Sequence, residues 1–162
     1  MSTAFTRERD AKKASKDAKK KAEKEEKNRV QQAKVVEEFN EKSSAADAGA
    51  DSIQKIKAWC QKPPYLDLTN DIKRKTFVTI ITLLGSLNKD QMDNQLFQGL
   101  EVKEAAILHK YVSAAGYQID ASDAETKGLI SPQNLVKTHI KMIEFYGNAV
   151  VFKAILVRTP VL

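Results

Sequence analysis

The chain has 162 residues, 27 basic and 21 acidic, for a formal net charge of +6, with 42% apolar residues and one cysteine, Cys60. That length suits a single domain with room for an appendage, and a lone cysteine excludes an intramolecular disulfide framework and speaks against a small secreted scaffold. No apolar run follows the first positive charges, and the longest apolar stretch, Asn148 to Val157, is interrupted by Lys153. Neither a secretory signal peptide nor a membrane span is therefore expected.

The average composition hides a split. Residues 1–50 hold 13 of the basic and 10 of the acidic side chains, but among large apolar residues only Met1, Phe5, Val30, Val35, Val36 and Phe39. Nearly all Leu, Ile, Tyr and Phe, and the only Trp, come later. Four prolines and six glycines are few for the length and favour long regular elements over a turn-rich all-β fold. The expected organisation is a charged, basic N-terminal helical arm over 1–42, a linker at 43–50, a helical core over 51–148 and an apolar segment over 149–162. The fold class is mainly α: a compact multi-helix core with a long charged N-terminal arm and an apolar C-terminal tail.

In chain order, residues 7–42 read as one charged helix. No Gly or Pro falls between Met1 and Ala48, and the propensities are high. Ala11, Ala14, Ala18, Ala22, Ala33 and Val36 mark a narrow stripe of small residues, interrupted by Glu25, Glu26 and Arg29, so no continuous coiled-coil seam is expected. Asp17 with Lys21, and Glu23 with Lys27, stand four apart as favourable pairs. Ser43 to Ala50 is small and polar, hence the linker. Ser52 to Gln61 reads as a helix capped by Asp51 or Ser52 and ended by Pro63-Pro64, with Ile53, Ile56, Trp59 and Cys60 on one face. The next helix starts at a Thr69 or Asn70 cap and ends at Gly85, with Phe77, Ile80, Ile81 and Leu84 inward. Its β-branched run Phe77 to Thr82 would also suit a strand.

Asn88 to Gln98 and Glu101 to Ala114 read as two further helices, and Gln118 to Ile130 as a polar loop. Ser131-Pro132 is a clear helix start, a cap followed by proline at the first helical position. The face Leu135, Val136, His139, Ile140, Ile143 and Tyr146 follows it to Gly147. Residues 149–162 suit either a last buried helix or an extended arm.

No motif names a reaction. His109 and His139 stand thirty residues apart on apolar faces with no ligand cluster beside either. Cys60 reads as a core residue. Asp120, Asp123 and Glu125 sit in a polar loop that would not split their pKa values. The glycines are scattered singly, without a phosphate-cradling loop. The expectation is a protein that is not an enzyme, with no cofactor, no metal and no small-molecule substrate.

Charge is the more informative feature. From Arg7 to Arg29 there are 11 basic and 6 acidic residues, a net +5. Arg7, Arg9, Lys12, Lys13, Lys16, Lys19, Lys20, Lys21, Lys24, Lys27 and Arg29 form one candidate nucleic-acid surface, and Lys73, Arg74 and Lys75 a second. Lysine suits diffuse neutralisation of phosphates more than base recognition. Trp59 and Tyr65, beside Lys57 and Lys62, would suit base stacking or, more plainly, core packing. A basic arm and an apolar tail on a compact body suit a self-assembling coat. The leading expectation is a structural protein that binds nucleic acid, RNA rather than DNA, and copies of itself, as a viral coat or nucleocapsid protein in a virion or host cytoplasm. The alternative is a helical interaction module of a larger complex, docking through its N-terminal arm.

Overall fold

The computed structural model describes residues 3–47, 51–118 and 128–156, and side chains over 16–43, 51–117 and 128–156. All regular structure among these residues is helical: α1 Thr3–Asp47, α2 Ser52–Gln61, α3 Asp71–Ser86, a π-helical segment Gln91–Leu96 running directly into α4 Phe97–Gly99, then α5 Val102–Gln118, α6 Pro132–Tyr146 and α7 Ala149–Leu156. The mainly α class is confirmed. One boundary differs from expectation, and one open alternative is decided for part of its length. α1 continues through residues 43–47, where a linker was expected, because nothing there breaks the helix before Gly49. The apolar segment forms a helix over Ala149–Leu156. The rest of the expected tail, residues 157–162, and residues 119–127 of the expected polar loop lie outside the described residues.

The core is organised around α5, which packs against α2, α3, α6 and α7. Ala105, Ala106, Ile107, Leu108, Tyr111, Val112 and Ala115 are all buried. The alanines let neighbouring backbones approach, and the larger residues fill the space between them. Around them close Ile56, Phe77, Ile80, Ile81, Leu84, Leu96, Phe97, Met142 and Val150.

The β-branched stretch of α3 is a helix, as the spacing of Phe77, Ile80, Ile81 and Leu84 predicts. Thr79 and Thr82 donate their hydroxyls to the carbonyls of Lys75 and Val78, each at 2.8 Å, within the helix. Other starts are held by side chains. Ser131 accepts from the Asn134 amide at 3.2 Å ahead of Pro132, as expected. Asn88 and Gln91 bond each other's backbone amides reciprocally at 3.0 and 2.8 Å, fixing entry into the π-helical segment. Glu104 reaches back to the Glu101 amide at 2.9 Å to start α5. The Tyr146 hydroxyl donates to the Phe97 carbonyl and lies 3.4 Å from that of Leu100, tying the end of α6 to α4. Lys57 closes the Gly99 carbonyl at 2.7 Å.

Gly85 lies within α3 because backbone passes beside it. A Cβ there would overlap the Leu129 carbonyl oxygen. We expect Gly85→Ala to lower stability, since an overlap cost of roughly 1–3 kcal/mol exceeds the ~1 kcal/mol helical gain of Ala over Gly. A urea-unfolding midpoint that rises in the variant would refute this.

Candidate functional site

Among the described side chains of the long helix, 16–43, those that join the core begin at Gln32. From residue 16 to residue 31 every side chain is exposed except Asn28, which is half-buried. At ~1.5 Å per residue, the backbone from Thr3 to Gln31 forms an arm of about 40 Å. Beyond it Gln32, Val35, Phe39 and Lys42 turn inward, at alternating steps of three and four residues. Val35 is buried, and Phe39 lies against Trp59 with ring centroids 5.5 Å apart. The Lys42 ammonium sits 4.8 Å from the same indole and donates to the Lys62 carbonyl. Burial lowers the Lys42 pKa despite the opposing charge of Glu38.

The alanine stripe is not the face that α1 turns to the core, and the side chains of Ala11 and Ala14 lie outside the described residues. Ala18, Ala22, Ala33 and Val36 are exposed. The seam lies one position away, and the pair Val35 and Phe39, four apart, was its available signal. Lys21 approaches Glu25 at 4.0 Å with both side chains largely exposed, a contact of little energetic value.

Asp67 completes the junction. Its Oδ1 accepts from the Gln32 amide at 2.7 Å and from the Thr69 hydroxyl and backbone N–H at 2.8 and 3.1 Å. Its Oδ2 accepts from the backbone N–H groups of Ile72 and Lys73 at 2.8 and 3.0 Å. Gln32 in turn accepts from the Leu68 amide at 2.9 Å. Burial alone would raise the pKa of this carboxyl, but the hydrogen bonds from Gln32, Lys73 and Thr69 outweigh it and hold the group at about 2. Of the two expected caps, Thr69 takes only a long bond, its hydroxyl accepting from the Asp71 amide at 3.4 Å. Asn70 takes the left-handed conformation, φ 63°, and makes no capping bond, while Asp67 reaches forward to do that work.

The basic residues fall into three groups. Lys16, Lys19, Lys20, Lys21, Lys24, Lys27 and Arg29 line the exposed arm. Arg7, Arg9, Lys12 and Lys13 lie on its backbone, with side chains outside the described residues. The triplet on α3 is not a surface patch. Lys73 is buried with its ammonium 3.2 Å from the Asn70 side-chain oxygen, while Arg74 and Lys75 are exposed. Trp59, only 3% exposed, lies beneath Phe39 and Lys42 and cannot stack a base.

The packing of α5 on α6 brings His109 and His139 together, centroids 4.8 Å apart. His109 is buried, its Nε2 has no partner among the described residues, and burial followed by the neighbouring His139 lowers its pKa to about 4. Cys60 is buried, and burial pushes its thiol up, leaving no reactive thiolate. Among the described residues no three His, Cys, Asp or Glu side chains converge to hold a metal, and no helix is long and apolar enough to cross a membrane.

What the outer helices do present is apolar surface. α7 buries Val150 and Ala154 but leaves Phe152 65%, Ile155 69% and Leu156 76% exposed, at spacings of three and four residues. Phe145, near the end of α6, is half exposed. Exposed apolar side chains at such spacing are a candidate surface for macromolecular contact. The family model of the ARP2/3 complex 16 kDa subunit (p16-Arc) matches residues 5–159. The chain belongs to this family. No curated protein and no solved structure matches it.

Membership of the ARP2/3 complex 16 kDa subunit family overturns the coat reading. The family is that of a subunit in a larger complex, so the expected virion, the nucleic-acid partner and assembly from copies of itself are all withdrawn. The alternative, a helical module of a larger complex, is the better description. The family is defined by a place in an assembly, not by a reaction.

Asp67→Ala should cost roughly 2–3 kcal/mol, because it leaves the first amides of α3 and the Gln32 amide unpaired. Gln32→Ala should cost about 1 kcal/mol. Both should speed proteolysis within α1, and unchanged urea midpoints and cleavage rates would refute the role of the Asp67 junction. His109 generates a pH prediction. Below its ordinary pKa near 6.5 the unfolded chain gains a proton that the folded chain refuses until about 4. Stability should therefore fall by roughly 3 kcal/mol as pH drops through that window, and His109→Gln should flatten the slope. Asp67 acts lower, its contribution being lost as pH falls from 3.8 to about 2.

Proposed function

We propose that this protein is a non-catalytic subunit of an ARP2/3 complex, held there by its helical surfaces, with its arm reaching a neighbouring subunit. The family match carries the proposal, because it spans arm and core together. The geometry supports it. The apolar side chains left outward on α7 would each gain about 1–2 kcal/mol if a partner covered them. The arm is held at its base by the Asp67 junction, so it can bridge a distance without a floppy hinge. Its lysines suit acidic protein surfaces as well as they suit phosphates.

The test is affinity purification of the tagged full chain from its own cells. Other ARP2/3 subunits should be recovered in fixed stoichiometry. The double variant Phe152→Asp with Ile155→Asp, at positions where neither side chain is buried, should melt like the parent and recover those subunits roughly tenfold less well. Recovery of the chain alone would overturn the proposal.

A further inference from the structure

Between the C-terminal end of α3, the π-helical segment and α6 runs a groove of about 500 Å³. Its apolar walls are Leu84, Leu87, Met92 and Ile140. Charged side chains, Lys89, Lys137, Lys141 and Asp93, stand around them. The charges do not balance. Lys141 is shared between Asp93 at 3.9 Å and Glu144 at 3.2 Å, whereas Lys89 and Lys137 have no acidic partner among the described residues. The thioether of Met92 lies 3.5 Å from the Thr138 hydroxyl, so the π-helical segment and α6 meet at the groove. Methionine there is an adaptable surface for an incoming side chain. Val136, 57% exposed and one turn before the 48%-exposed Ile140, continues the apolar strip along α6 beyond the groove.

We propose that this groove docks an acidic amphipathic helix of another polypeptide. Two apolar side chains, three or four residues apart, enter the groove, and flanking carboxylates pair with Lys89 and Lys137. The groove has the size of a site for a few side chains, and the strip beyond it asks for an extended occupant rather than a small molecule. The sign of the rim selects against this chain's own arm, or that of a second copy, since residues 7–29 carry a net +5. The site lies on different residues from the α7 face and does not depend on membership of the complex.

The isolated full chain tests this with two synthetic helical peptides sharing one leucine face, one with glutamates and the other with lysines at every remaining position. The glutamate peptide should bind saturably in fluorescence anisotropy, and its amide shift changes should centre on residues 84–93 and 134–141. Lys89→Glu with Lys137→Glu, both exposed positions, should keep the melting temperature, weaken the glutamate peptide roughly tenfold and admit the lysine peptide. Ile140→Asp should weaken the glutamate peptide with the rim intact. Equal binding of both peptides, shifts centred on α7, or Lys89- and Lys137-dependent binding of phosphatidylserine vesicles without binding of the glutamate peptide would each overturn the proposal.

Discussion

One carboxylate joins the two halves of this molecule. Asp67 takes hydrogen bonds from α1 through Gln32, from its own loop through Thr69, and from the first amides of α3. A buried charge is expensive unless nearly every lone pair is used, and here five donors use them. Because these bonds originate on separate elements, the direction of the arm and the start of α3 are set together. The aromatic contact of Phe39 with Trp59, under Lys42, adds a second anchor further along the same seam. Two anchors about two turns apart fix a helix in direction as well as position, which one contact cannot do.

The central position of α5 explains why so much apolar surface remains outside. α5 is packed by α2, α3, α6 and α7, so the outer helices spend one face each on the core. α7 has eight residues, nearly all apolar, and Val150 and Ala154 suffice for that inner face. Phe152, Ile155 and Leu156 are surplus to the needs of folding. Side chains of this kind fit the proposed contact with another subunit.

The coat reading failed at an identifiable step. A run of lysines on a helix says that an anion is near, and a phosphate and a protein carboxylate answer equally well. Lys73, counted with Arg74 and Lys75 as surface charge, is buried and turned toward Asn70. The alanine stripe on α1 is not the seam that meets the core. Small residues at helical spacing mark where a neighbour could approach closely, but Val35 and Phe39, one step around the helix, offered more area to bury.

The sequence by itself determined the elements: the uninterrupted charged helix, the cap at Ser131 with Pro132, and the apolar periods of α2, α3 and α5. These are local consequences of propensity, capping and hydrophobic spacing. It also pointed to a charged arm on a compact helical body. On α6, by contrast, the expected face leaves Val136 and Ile140 exposed, and Thr138 and Met142 are buried instead. Only the tertiary structure decided which residues of α1 touch the core and that Asp67 rather than Asn70 starts α3. It also brought His109 to His139 and, among the described residues, left one side of α7 without a neighbour. Each of these depends on contacts between residues far apart in the chain, such as Gln32 with Asp67. Local patterns carry the strength of a face for burial, but not the identity of what buries it.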